Sequence, residues 1–197
     1  MRFVLASASP ARADILKQIG LSFDVVPSGT AEDAVDGGEP GAGVEAVALA
    51  KARHVALRER DAVVIAADTV IVLDGKVLGK PADANDARRM LQHMSGRWHQ
   101  VVSGLAVADA RSGRECACHE ITRVRMASLV PAVIEGYVAT GEPLGKAGSY
   151  AIQGRGALLV ERISGCYFNV VGLPVARLAD LAHAVGVDLM REAFRGV

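Results

Sequence analysis

The chain has 197 residues, 51% of them hydrophobic and 22% charged, which suits one sizeable α/β domain and is far from the composition of a disordered chain. Twenty-two Lys and Arg balance 22 Asp and Glu, so no net field draws the chain onto nucleic acid or an anionic membrane, and any anion site has to be local. The three cysteines fit reduced thiols in the cytoplasm, the N-terminus lacks a signal-peptide pattern, and the apolar run 62–73 is too short to cross a bilayer.

Residues 2–6 read as a strand that feeds a helix start at Ser7-Ala-Ser-Pro-Ala-Arg12. Ser9 is placed as N-cap, Pro10 at the first helical position, Ile15, Leu16 and Ile19 on one face, and Gly20 as the stop. A second strand is predicted over 21–26, a Gly- and acid-rich loop over 28–43, and an Ala-rich helix over 44–60. The run 62–73 is a strand that turns at Asp74-Gly75, a favoured two-residue hairpin dipeptide. That turn pairs Leu73 with Lys76 and, counting back, Thr69 with Lys80. A helix follows over 83–94, strands over 98–108 and 115–127, a short helix over 131–140, a loop over 141–156, a strand over 157–163 and a closing helix over 174–185. The pattern over 187–197 specifies nothing.

Asp68 is the anomaly of the chain. It interrupts the most apolar run, where a carboxylate is costly to bury unless a cation, a metal or water answers it. Ser7, Ser9 and Arg12 gather where a strand feeds a helix N-terminus, a place that suits a phosphate and equally suits a capped helix with a solvated Arg. Lys80 and Lys146 each sit in a Gly-flanked turn.

Known signatures fail. The run Gly75-Lys-Val-Leu-Gly-Lys-Pro81 is one residue short of a P-loop, has Pro where Ser or Thr must hold Mg²⁺, and follows a hairpin. Gly154-Arg-Gly156 lacks the third glycine of a dinucleotide fingerprint. No Gly-x-Ser-x-Gly elbow or positioned base activates Ser7 or Ser9. Cys116, Cys118 and His119 lack the second ligand pair of a zinc site and read as small side chains along a strand.

Six ordered blocks carry a resemblance. They are Leu5-Ala-Ser-Ala-Ser-Pro10 with Arg12, Ala67-Asp-Thr69 with Gly79-Lys-Pro81, Leu91-x-x-Met-Ser-Gly-Arg97, Gly141-Glu-Pro with Lys146-Ala-Gly-Ser-Tyr150, Ile152-Gln-Gly-Arg-Gly-Ala157, and Asn169-Val-Val-Gly-Leu-Pro174. The chain resembles the Maf family of nucleotide pyrophosphatases, also described as septum-formation inhibitors, closest to its dTTP/UTP subgroup. The resemblance implies a single domain over 1–197 with an inosine triphosphatase-like α/β fold: an elongated mixed sheet flanked by helices, in two lobes around a cleft. It implies hydrolysis of a nucleoside triphosphate to monophosphate and pyrophosphate, a divalent cation, Mg²⁺ or Mn²⁺, and a homodimer with neither nucleic acid nor membrane as partner.

Position by position, the resemblance makes Asp68 the essential acidic residue, activating water or binding the metal together with Glu32. It makes Ser7, Ser9, Arg12, Glu32, Lys51, Lys80 and Lys146 contacts to substrate or phosphate. Thr69 and Gln153 fall where members acting on dTTP and UTP differ from those acting on 7-methyl-GTP. Ala11 departs from the usual second Arg, a position linked to pyrimidine specificity. Gly145 stands where Asp is usual, with Glu32 or Asp33 as replacement carboxylates, while Ala151 replaces a common Gly and Cys166 a frequent Asp. The competing reading, suggested by Ala11 and Gly145, is a nucleotide-binding regulator of cell division with vestigial hydrolysis.

Overall fold

The computed structural model describes residues 1–30 and 39–195. The expectations placed on Glu32 and Asp33 therefore lie outside the described residues. In chain order the elements are β1 (Arg2–Leu5), α1 (Pro10–Gln18), β2 (Asp24–Val25), α2 (Pro40–Ala56), β3 (Ala62–Leu73), β4 (Lys76–Leu78) and α3 (Ala84–Met94). They continue with β5 (Trp98–Asp109), β6 (Arg114–Met126), α4 (Pro131–Ala139), β7 (Val160–Ser164), α5 (Tyr167–Val171), α6 (Val175–Ala184) and α7 (Leu189–Ala193). Seven strands form one sheet in the order β2-β1-β3-β5-β6-β7, with β4 also paired to β3. The sheet is mixed, as expected: β1 runs parallel to β2 and β3, while β3/β4 and β6/β7 are antiparallel.

The chain divides into two compact units, Met1–Asp68 with Ser103–Glu120 and Gly172–Val197, and Thr69–Val102 with Ile121–Val171. In the first, α2 supplies an inner stripe at Gly41, Val44, Ala48, Lys51, Ala52 and Val55, the i, i+3/i+4 spacing of a core-facing helix. It packs on alternate strand residues Ala62, Val64 and Ala66, with Val4, Ala6, Ala106 and Ala108 beside them. Small residues on both sides let helix and sheet approach closely. At Gly104 the approach is closest, since a Cβ there would stand 2.0 Å from the Val44 carbonyl oxygen of α2.

The second unit has its own core, in which Leu91 and Met94 of α3 and Ile134, Tyr137 and Val138 of α4 pack with Ile71, Leu73, Val101, Val124 and Met126. Asp83 caps α3 by accepting a hydrogen bond from the Asp86 N–H at 2.8 Å.

Several boundaries move from their expected places. α2 spans 40–56 rather than 44–60, because Pro40 opens it early and its apolar stripe ends at Val55. The predicted strand over 157–163 begins only at Val160, because Gly154–Leu159 forms 3₁₀ turns. Within the supposed loop 141–156, Ala147–Ser149 is another 3₁₀ turn. The hairpin register is as counted at Leu73↔Lys76, but the ladder ends at Ile71↔Leu78. Thr69 and Lys80 are therefore not strand partners, since β4 stops two residues short of Lys80 at the Gly79-Lys80-Pro81 turn.

Candidate active site

The parallel register Leu5↔Ile65, extended by an Ala6 N–H to Ile65 C=O bond of 2.8 Å, brings Ser7 level with the Ala67-Asp68 step. Ser7 is buried, and its Oγ accepts hydrogen bonds from the Ser9 N–H at 3.2 Å and from Arg12 Nη1 at 3.0 Å. Arg12 Nη1 also donates to the Ala67 carbonyl at 2.9 Å, and its Nε to the Gly172 carbonyl at 2.9 Å. The guanidinium thus ties the loop after β1, the residue before Asp68 and the start of the 172–174 segment. A solvated Arg12 is excluded, since only 9% of the residue is exposed. Ser9 does occupy the N-cap position of α1, but its side chain makes no capping bond; its backbone N–H turns to Ser7 instead. Ala11 is half-buried on α1.

Asp68 continues the row Ala62, Val64, Ala66 on the face of β3 that α2 covers. What answers its charge is Lys51, whose Nζ donates to Asp68 Oδ1 at 2.8 Å. Both residues are buried, with 5% and 8% exposed. A buried ion pair stabilises little in net terms, because desolvating two charges offsets most of their attraction, so its presence calls for another reason. Oδ2 of Asp68 accepts no hydrogen bond among the described residues. Lys51, which the resemblance makes a contact to substrate or phosphate, stands on the apolar stripe of Ala-rich α2.

The remaining candidates belong to the second unit. Lys80 and Lys146 are exposed, and their turns are joined by a Gly148 N–H to Gly79 C=O bond of 2.9 Å. Thr69 is half-buried on β3, and Gln153 is exposed at the start of the 3₁₀ turns of 154–159. Glu142, to which no role was assigned, is heavily used: its carboxylate accepts from the backbone N–H groups of Arg155 and Gly156 and from the Tyr137 hydroxyl. Its partners lie 5 to 14 residues away and two are backbone groups, so no spacing rule flags it. A hollow of about 330 Å³ lined by Val72, Asp74, Trp98, His99 and Arg123 holds none of the candidate residues.

A metal was expected at Asp68 and Glu32. Among the described residues no group of three or more His, Cys, Asp or Glu side chains converges. Asp68 Oδ2 nevertheless suits Mg²⁺ or Mn²⁺, since Mg²⁺ is commonly held by one or two carboxylates plus substrate phosphates and waters. Around Cys118, burial pushes the thiol up to about 11, and His119 Nδ1 pairs with Glu45 at 3.1 Å. No helix among the described residues is long and apolar enough to cross a membrane.

Fold and site together define an α/β protein that buries a lysine–carboxylate pair beside a serine–arginine cluster at a helix start. A family model described as Maf-like protein matches residues 2–185, and the chain belongs to that family. It is 52% identical over 188 residues to a protein of Moorella thermoacetica, covering 95% of this chain and 97% of the relative. It is 51% identical over 187 residues to one of Pelotomaculum thermopropionicum, covering 95% and 98%. A third, from Acetivibrio thermocellus, is 46% identical over 199 residues, covering 98% and 99%. All three relatives are named dTTP/UTP pyrophosphatase. Among solved structures, a HAM1 protein from Coxiella burnetii aligns with 66% of this chain and 74% of its own at 20% identity and a TM-score of 0.45, too slight a likeness to define the fold.

Proposed function

We propose that this chain, as one domain over 1–197, hydrolyses dTTP and UTP to the monophosphates and pyrophosphate. The observation that carries the reading is the Lys51–Asp68 pair, buried at 2.8 Å beside the Ser7–Arg12 cluster, in a member of a family whose relatives are named for that activity. The Lys51 ammonium takes up Oδ1 and leaves Oδ2 as the proton acceptor.

Asp68 Oδ2 orients a water and takes its proton as the water oxygen bonds to the α-phosphorus. The bond from that phosphorus to the bridging oxygen breaks, and its electron pair leaves with pyrophosphate. Ser7, Ser9, Arg12 and Lys51 are assigned to substrate binding, and Lys80 and Lys146 to phosphate oxygens. A divalent cation, Mg²⁺ or Mn²⁺, held by Asp68 with Glu32 as second carboxylate, would offset polyphosphate charge. Thr69 and Gln153 select the base, with Ala11 as a modifier. The working form is a cytoplasmic homodimer.

The test is pyrophosphate release from dTTP, UTP and 7-methyl-GTP with Mg²⁺ or Mn²⁺, for the wild type and Asp68→Asn. Loss of a general base lowers turnover by roughly 10²–10⁴-fold. A folded Asp68→Asn protein with full turnover refutes the assignment. Saturable binding of nucleotides by the wild type without turnover would favour the regulator.

A further inference from the structure

The half-buried Glu142 binds its own chain through its carboxylate. Oε1 accepts the Gly156 N–H at 2.8 Å and the Tyr137 hydroxyl at 2.9 Å, and Oε2 accepts the Arg155 N–H at 3.1 Å. The Tyr137 oxygen in turn accepts the Ala151 N–H at 3.3 Å. Glu142 is itself anchored to the end of α4, since its N–H donates to Thr140 Oγ1 at 3.1 Å and that hydroxyl donates to the Tyr137 carbonyl at 2.7 Å.

The segment received by this carboxylate folds back tightly. A Cβ on Gly156 would lie 2.2 Å from the Ala151 carbonyl oxygen and 2.6 Å from the Tyr137 hydroxyl. Gly154 has φ +71°, and a Cβ there would stand 3.0 Å from Glu142 Oε2. Consecutive backbone N–H groups turned toward one anion form a nest, and here the anion is part of the protein. Burial alone would push the Glu142 carboxyl up; the Gly156 and Arg155 N–H groups, the Tyr137 hydroxyl and the Arg155 charge outweigh it and hold the group below the usual carboxylate range.

Gln153 lies between the two sets of anchors, with Ala151 tied on one side and Arg155 and Gly156 on the other. Its backbone is extended, at φ −88° and ψ 160°, and its side chain is exposed and has no hydrogen bond of its own among the described residues to fix it. We propose that Glu142 is the positioning residue for Gln153 and, through it, a determinant of base selectivity. This rests on the reading of Gln153 as a base-selecting residue given above.

The experiment measures kcat and KM of the full chain for dTTP, UTP and 7-methyl-GTP in Glu142→Gln, Tyr137→Phe, Gln153→Ala and the double variant Glu142→Gln/Gln153→Ala. A Gln at 142 keeps the shape but replaces one acceptor oxygen with a donor that faces another donor. Losing one charge-assisted hydrogen bond corresponds to roughly tenfold, so KM for dTTP and UTP rises about tenfold while kcat stays within about twofold. The advantage over 7-methyl-GTP shrinks by the same factor. Tyr137→Phe moves selectivity in the same direction by less, and carries the test if Glu142→Gln does not fold. The double variant is no less selective than Gln153→Ala.

Two results overturn the proposal while leaving the function intact: Glu142→Gln and Tyr137→Phe keep their selectivity although Gln153→Ala loses it, or Glu142→Gln lowers kcat equally for every nucleotide. A wild type that prefers 7-methyl-GTP, or a Gln153→Ala protein with unchanged selectivity, overturns the base-selection reading itself and the proposal with it.

Discussion

At the scale of single residues, the Lys51–Asp68 pair makes the sharpest demand on the chain. Removing one partner of a buried ion pair leaves an uncompensated charge and costs about 3–5 kcal/mol, whereas removing both is often nearly neutral. Lys51→Met should therefore lower stability to urea by about that amount. Lys51→Met/Asp68→Asn should recover most of it, and simply additive losses would show that the two side chains do not act as a pair. His99 makes a different demand. It is 3% exposed and bonded through Nε2 to the Tyr150 hydroxyl at 2.7 Å, and burial pushes its pKa down to about 4. An unfolded histidine titrates near 6.5, so on acidification the unfolded state takes up the proton first. The contribution of a neutral His99 is complete above about pH 6.5 and is lost as pH falls toward 4, amounting to roughly 3 kcal/mol across the window. Urea midpoints at pH 7.5, 5.5 and 4.5 should show a steeper acid loss in the wild type than in His99→Gln; parallel curves would refute the account.

At the scale of elements, the placement of α2 decides whether Lys51 reaches β3. The contact that sets this distance is Val44 against Gly104, where a methyl group would sit 2.0 Å from a backbone carbonyl oxygen. Backbone cannot move aside as a flexible side chain does, so Gly104→Ala has to push the helix outward. The expected result is a destabilisation of about 1–3 kcal/mol, with turnover falling in the protein that still folds, because Lys51 is carried on the displaced helix. A Gly104→Ala protein with wild-type stability and turnover would mean that the helix position is not set here. Elements with clear punctuation were legible in the sequence: Asp74-Gly75 gave the β3–β4 register, Asp83 the start of α3, and Pro131 the start of α4. The five-residue helices α5 and α7 were not, because five residues hold too little of a 3.6 period to stand out. The strand predicted from 157 failed at its start because an apolar Ala-Leu-Leu run serves 3₁₀ turns as readily as a strand. In the site, Asp68 was visible as a charge in an apolar run. Lys51 came only from family likeness, and the role of Glu142 was hidden because it is exerted on backbone groups.

At the scale of the whole molecule, the two units are interleaved along the chain. The first is built from three segments and the second from two; three of the four breaks fall inside strands, at Asp68/Thr69 in β3, Val102/Ser103 in β5 and Glu120/Ile121 in β6, and the fourth at Val171/Gly172, just after α5. No cut in a loop separates them. Strands of 12, 12 and 13 residues therefore contribute residues to both units. Sequence patterning cannot reveal this division, because an apolar strand reads the same on either side of the break. Strands continuous across the breaks predict one cooperative transition, despite two cores. Trp98, the single tryptophan, reports on the second unit, where the Arg123 guanidinium lies 4.9 Å from its ring centre. The half-buried Cys118 thiol reports on the first. In a Cys116→Ser/Cys166→Ser protein, urea should quench or shift Trp98 emission and expose Cys118 to a thiol reagent at the same midpoint, as a two-state chain requires. Exposure of Cys118 at a clearly lower urea concentration would mean that the unit carrying Asp68 and Lys51 opens alone, and that the shared strands do not couple the two cores.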